Sequence, residues 1–189
     1  MSMIEKPLVS STAHGTPNAS NSWQTPRWLF DKLSQHFEFA LDAAATSDNT
    51  LCNIHLTPEE DALTYDWAEA VHGIGDIFMS FGGEVGRSVW LNPPYGRDVG
   101  KWVAKARHES EKGLTVVVLI FARTDTRWWH DHVMRAEGIY FIKGRLKFLE
   151  NGQVRHPAPA PSCVIVFRGD SEGRTPKLGT VVRDQPFVR

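Results

Sequence analysis

The chain has 189 residues, 41% hydrophobic and 23% charged, which suits one domain with a substantial core. No apolar run approaches the roughly 18 residues of a membrane-spanning helix, the N-terminus has no signal-peptide apolar region, and two cysteines are too few for a disulfide framework. The expectation is a protein of the reducing cytoplasm, without a membrane partner, whose Cys52 and Cys163 are free buried thiols. Net charge is −1, but from Tyr140 onward nine Lys/Arg face four Asp/Glu, which leaves residues 1–139 acidic. A basic half suits phosphates and an acidic half suits a cationic ligand, although chance gives small chains the same asymmetry.

Residues 1–20 are rich in Ser, Thr, Ala, Asn and Pro and read as a disordered lead-in. Thr25 before Pro26 has the form of a helix N-cap, and Trp28, Leu29, Leu33 and Phe37 supply the apolar face of the helix that follows. Phe39-Ala40-Leu41 makes a short strand running into Asp42-Ala43-Ala44-Ala45. Residues 46–57 are polar and loop-like, and Thr57-Pro58-Glu59-Glu60 resembles another helix start. Five glycines between residues 69 and 88 punctuate an apolar patch, the pattern of a flexible insertion or a hairpin.

Val89–Leu91 is a strand that ends on Asn92-Pro93-Pro94-Tyr95. Val99–Lys112 has helical periodicity, Gly113 stops it, and Leu114–Phe121 is an apolar, β-branched run of the sort buried on both faces. A helix over Trp128–Ala136, a strand over Ile139–Ile142, a Pro-rich loop over Pro157–Pro161 and a strand over Cys163–Phe167 follow. From Gly169 the sequence reads as a polar tail, so the domain proper is expected over 21–168. Alternation of strands and helices around apolar strands points to an α/β fold with a mostly parallel central sheet.

The tetrad at 92–95 carries the most chemistry. Two prolines lock φ, remove two backbone donors and hold the residues before them extended, so the turn is rigid. It presents the Asn92 amide, the Pro93 carbonyl and an aromatic face: acceptors for an exocyclic amine and a surface for its ring. Enzymes that methylate exocyclic amines with S-adenosylmethionine use this arrangement. Adenine N6, cytosine N4, guanine N2 in RNA and a glutamine amide all fit it. Ligands of parallel sheets bind beyond the carboxyl ends of the strands. Asp42, Asn92 and Arg123-Thr124-Asp125 each follow a predicted strand and should therefore meet at one edge. His130-Asp131-His132 and Cys52-x-x-His55 fit no metal site by spacing, and no acyl-transfer constellation is present.

Across roughly Ser22–Phe167 the chain resembles the phage-type DNA N6-adenine methyltransferases of the Dam group. The resemblance rests on Trp23-Gln24-Thr25-Pro26, Leu41-Asp42-Ala43-Ala44-Ala45, the Asn49…Cys52 stretch, Asp61-Ala62-Leu63…Asp66-Trp67 and Trp90-Leu91-Asn92-Pro93-Pro94-Tyr95-Gly96. Ala122-Arg123-Thr124-Asp125-Thr126…Trp128-Trp129-His130, Gly144-Arg145-Leu146-Lys147-Phe148 and Ala158-Pro159…Pro161-Ser162 complete it. It implies a Rossmann-like, S-adenosyl-L-methionine-dependent methyltransferase fold acting on double-stranded DNA in a bacterial cytoplasm. It also implies direct methyl transfer to adenine N6 of a flipped-out base by Asn92, Pro93, Pro94 and Tyr95. By the same resemblance Trp23, Thr25, Pro26, Asp42, Ala43, Asp66 and Asn92 would bind the cofactor, with Asp66 near its adenosine half. Arg123, Arg127, Lys143, Arg145 and Lys147 are the candidates for phosphate contacts, and the 69–88 and 143–161 loops for sequence specificity. Two features depart from the pattern: the Gly-rich cofactor loop common among methyltransferases is replaced by Asp-Ala-Ala-Ala, and residues 69–88 exceed the corresponding family segment. An amino-methyltransferase for cytosine N4 or RNA guanine, and an inactive DNA-binding module of the same fold, are the competing readings.

Overall fold

The structure, a computed structural model, describes residues 23–80, 86–169 and 174–188. Its helices are α1 (Arg27–Ser34), α2 (Trp67–Ser80), α3 (Val99–Glu111) and α4 (Arg127–Asp131). Its strands are β1 (Phe39–Asp42), β2 (Ile54–His55), β3 (Ser88–Leu91), β4 (Thr115–Phe121), β5 (Gly138–Ile142), β6 (Lys147–Glu150), β7 (Gln153–Pro157), β8 (Ser162–Phe167) and β9 (Lys177–Val181). Seven strands form one sheet in the order β2-β1-β3-β4-β8-β5-β9, and β6 and β7 form a separate hairpin. The β2-β1-β3-β4 half is parallel throughout, and β5 pairs in parallel with β9. Strand β8 runs antiparallel to both β4 and β5, so β4 and β5 point the same way. This mixed, mostly parallel sheet is the Rossmann-like architecture expected.

The unbroken apolar run of β4 is explained by two buried faces. Val116, Val118 and Ile120 join a core with Trp67, Val71, Val103, Ala106 and Trp129 from α2, α3 and α4. Val117, Leu119 and Phe121 point the other way, into a core with Leu29, Phe30 and Leu33 of α1 and Phe148 of the hairpin. Alternation across the sheet therefore gives each helix layer its own half of the strand. Gly113 ends α3 at φ 96, a left-handed conformation that favours glycine.

Several expectations are corrected. Residues 67–80 are helix α2, where glycines suggested a hairpin or flexible insertion; residues 81–85 of that segment lie outside those described. Tertiary packing overrides propensity here: Trp67, Ala68 and Val71 are buried, and the Glu109 carboxylate on α3 accepts the Trp67 and Ala68 N–H groups at 3.2 and 3.3 Å. Thr57–Glu60 makes a turn and no helix. The Glu60 carboxylate accepts the Thr57 N–H as in a capping box, but Asp61 turns the chain away at φ 46. Pro26, one residue later than expected, holds the N-cap position of α1, and no side chain caps that helix. The helix expected over Trp128–Ala136 ends at Asp131, and a short 3-10 turn, Val133–Arg135, follows.

The polar stretch after Gly169 supplies edge strand β9, hydrogen-bonded to β5, and the buried Phe187, whose ring meets Tyr140 at 4.9 Å. Gly179 of β9 lies over the Tyr140 ring, where a Cβ would come within 2.6 Å of it. The expected lead-in, 1–20, lies outside the described residues. Both cysteines are free and buried. No helix among the described residues is long and apolar enough to cross a membrane.

Candidate active site

Strand register brings the predicted residues to one edge. Asp42 of β1 is level with Trp90 of β3, Leu91 is level with Val118 of β4, and all three strands run the same way. Asn92 therefore leaves the sheet beside Asp42, and Arg123 leaves it just beyond Phe121. Because β5 parallels β4, and Phe121 and Phe141 pair with the adjacent residues Ser162 and Cys163, Lys143 emerges at the same edge.

Asn92 follows a fully buried strand, and Pro93 behind it is buried. Its amide Nδ2 donates to the Trp23 carbonyl at 2.7 Å, while its Oδ1 is buried and has no partner. A buried acceptor left open costs about 1–3 kcal/mol, and beside a cleft it is free to meet a ligand's donor. Tyr95 is packed among other aromatic rings. Its ring packs with Phe121 at 4.4 Å and with Trp23 and Phe148 at 5.4 Å each, and its hydroxyl donates to the Leu119 carbonyl at 3.2 Å. Burial pushes the phenol well above its ordinary pKa. The ring, 8% exposed, also borders an open space.

That space is an apolar cavity of about 470 Å³ walled by Trp23, Tyr95, Val99, Phe121, Trp128 and Pro159, with the exposed Arg97 and Arg123 also lining it. On the other side of Trp23 a narrow polar cleft of about 30 Å³ is bordered by Thr25, Asp42, Asn49, Asn92 and Pro93. Asn49, Ala44 and Pro94 are shared with a third cavity, of about 260 Å³, lined by Ala43, Thr46, Thr57, Asp61 and Trp102. The ledge at 92–94 thus borders a small polar cleft and a larger, more apolar lobe, and Trp23 is common to the cleft and the aromatic-walled cavity.

Asp42 is 4% exposed. Its carboxylate accepts the Leu51 N–H at 3.1 Å and the Ala44 N–H at 3.4 Å, which holds the loop from β1 around it. Burial raises its pKa to about 6, against the lowering effects of those two bonds and of the nearby His55. The Ala43 N–H donates to the Trp90 carbonyl at 2.9 Å and ties this loop to β3. Thr25 is 5% exposed and its hydroxyl has no partner; the Trp23 indole N–H has none either. Donors and acceptors left open around one cleft suit a ligand with its own polar groups.

Asp66 stands apart. It caps α2 by accepting the Glu69 N–H at 3.0 Å and pairs with Lys112 at 2.8 Å, which together hold it below the usual carboxylate range. It lines none of these three cavities. Among the basic candidates, Arg123 lies over the Phe121 ring at 6.0 Å, and exposed Arg127 pairs with Asp131 at 3.0 Å. Exposed Arg145 donates to the Ala158 carbonyl at 3.2 Å, and Lys143 and Lys147 are exposed. Among the described residues no three His, Cys, Asp or Glu side chains cluster as a metal site.

The family model described as DNA N-6-adenine-methyltransferase (Dam) matches residues 13–185. The chain belongs to this family. Among curated relatives, the DNA N-6-adenine-methyltransferase of Haemophilus phage HP1 (strain HP1c1) is 30% identical over 151 residues, 77% of each chain. The protein of the same name from Escherichia phage T1 is 30% identical over 178 residues, 84% of this chain and 67% of the relative. The Dam-family match runs through α2 and β9 as well as the ledge.

Sequence reasoning missed Asn49, Asp61 and Trp102 as cavity residues, and Gln24 and Arg97 around Trp23 and the apolar cavity; Trp128, expected with Trp129 to pack or wedge, lines that cavity. Most of these stand inside the motifs that carried the family resemblance, and Arg97 directly follows one. A signal was present, but no spacing rule assigned these side chains a direction.

Proposed function

We propose that this Dam-family protein transfers a methyl group from S-adenosyl-L-methionine to the N6 amino group of adenine in DNA. The buried, unpartnered Oδ1 of Asn92 carries the proposal: its rigid proline ledge lines a polar cleft and continues into Tyr95, which lines an aromatic-walled cavity. The cofactor fits the polar side. Asp42 offers a carboxylate to a cationic group, Thr25 an open hydroxyl, and Trp23 in the cleft and Ala43 in the adjoining lobe complete the surroundings of its methionine part. Asn49, Asp61 and Trp102 line the lobe left for its nucleoside. When bound, the cofactor supplies an electrophilic methyl group on a sulfonium.

The chain supplies position and electrostatics. The lone pair of adenine N6 is delocalised into its ring, which makes it a poor nucleophile. Asn92 Oδ1 and the Pro93 carbonyl each accept one N–H of that amine and draw the nitrogen toward tetrahedral geometry, so that its lone pair localises. Pro94 keeps the ledge stiff. The apolar cavity receives the extruded base, with Tyr95, Trp23, Phe121 and Trp128 excluding water around it. Arg123, Lys143, Arg145 and Lys147 hold the DNA backbone along the same edge, with Arg127 at its margin.

Incubation with DNA and methyl-labelled cofactor, followed by digestion to nucleosides, tests this. Label in N6-methyladenosine is expected. Label in another nucleoside would move the reading to cytosine N4 or guanine N2, and no label with DNA binding retained would leave a binding module.

A further inference from the structure

Asn92 works as an acceptor only if its amide points the right way round. Its two ends are nearly equal in size and opposite in chemistry: NH₂ donates and oxygen accepts. The Trp23 carbonyl, 2.7 Å from Nδ2, can bond only to the donating end and so leaves Oδ1 as the open atom. The segment that supplies this carbonyl is laced to the β6–β7 hairpin. Gln24 N–H donates to the Leu149 carbonyl at 2.8 Å, Leu149 N–H donates to the Gln24 carbonyl at 2.9 Å, and Gly152 N–H donates to Gln24 Oε1 at 3.1 Å. The Trp23 indole stacks on Phe148 of β6 at 5.2 Å and 26°. The hairpin in turn faces solvent along the whole of β7 and carries the exposed Lys147.

We propose that Trp23–Gln24 is a positioning strap: its Trp23 carbonyl orients the Asn92 amide for the methyl acceptor, and the β6–β7 hairpin holds that carbonyl in place. Nucleic acid resting on the hairpin thereby bears on the geometry of Asn92 through one layer of main-chain hydrogen bonds. This rests on Asn92 being the acceptor for the target amine, as proposed above.

Leu149 N–H and C=O both face Gln24, so Leu149→Pro removes the strap bond from β6 without touching a bond to β7. Gln24→Ala removes the milder link to Gly152. With cofactor and DNA saturating, kcat should fall about tenfold in Leu149→Pro and about threefold in Gln24→Ala, with both dissociation constants of Leu149→Pro within about twofold of the parent. Asn92→Asp keeps two acceptors but loses the donor to Trp23, and its carboxylate repels that carbonyl. Its kcat relative to the parent should be low at pH 8 and rise as pH falls and the new carboxyl gains a proton to donate. If Leu149→Pro fails a thermal-melt check of folding, Gln24→Ala decides. Unchanged kcat in the folded strap variants, or an Asn92→Asp variant fully active at pH 8, would overturn the strap. Full activity in Asn92→Ala would instead sink the reading of Asn92 itself.

Discussion

Two buried carboxylates, Glu109 on α3 and Asp42 at the end of β1, show how this fold separates structure from chemistry. Glu109 is fully buried, yet Lys105 and Lys112 reach it at 2.7 and 3.0 Å and two N–H groups of α2 bond to it. Asp42 is nearly as buried and accepts two N–H groups, but no Lys or Arg pairs with it among the described residues, and the nearby His55 acts on it only through space. One carboxylate is complete within the chain, and the other is left wanting positive charge beside an open cleft. Buried charge of the first kind holds α2 onto α3; of the second kind it is what a cationic ligand would complete.

The comparison can be broken by exchanging the consequences. Glu109→Ala leaves the part-buried Lys105 and two buried helix N–H groups without their carboxylate and should destabilise the fold by about 3–5 kcal/mol, read from urea unfolding midpoints. Asp42→Asn should cost no more than about 1 kcal/mol by the same measurement, because the buried charge disappears with the carboxylate. Its effect should fall on cofactor affinity, weakened about tenfold or more in a calorimetric titration. An Asp42→Asn protein that unfolds while Glu109→Ala does not would reverse the assignment.

Acidity sharpens the same contrast. The pKa of Asp42 is about 6 when folded, above the ordinary carboxylate value of 3.8, so the native state takes up a proton before the unfolded chain does. The destabilisation from its charge is fully present above pH 6 and is relieved as pH falls from 6 toward 4. Affinity for a cationic cofactor should run the opposite way and weaken below pH 6; in Asp42→Asn that dependence should vanish. The smallest expected effects belong to the exposed cations. Lys143→Ala and Lys147→Ala should each reduce the slope of log affinity for DNA against log salt by about 1, without altering cofactor affinity.

What the sequence made legible was what depends on local covalent chemistry. The two prolines after an apolar run define a ledge wherever they occur, and strand ends in a parallel sheet must share an edge, so Asp42, Asn92 and Arg123 were placed together correctly. What was hidden depends on partners distant in the chain. Glycines at 73 and 75 suggested a break in α2, while the carboxylate that secures its start is Glu109, more than thirty residues later. Asp66 had the position of a ligand-binding acid, and only the fold brings Lys112 to it. Strands β7 and β9 escaped because they are exposed along nearly their whole length, so no alternation of buried apolar and exposed polar residues marks them.

The central claim is that Asn92 presents an acceptor to the target amine while Asp42 and Thr25 serve the cofactor. Single-turnover methyl transfer by Asn92→Ala, with cofactor affinity titrated on the same preparation, addresses it directly. Transfer should fall about 10²-fold or more with cofactor affinity unchanged within about twofold. Transfer at the parental rate, or loss of cofactor affinity together with transfer, would contradict it.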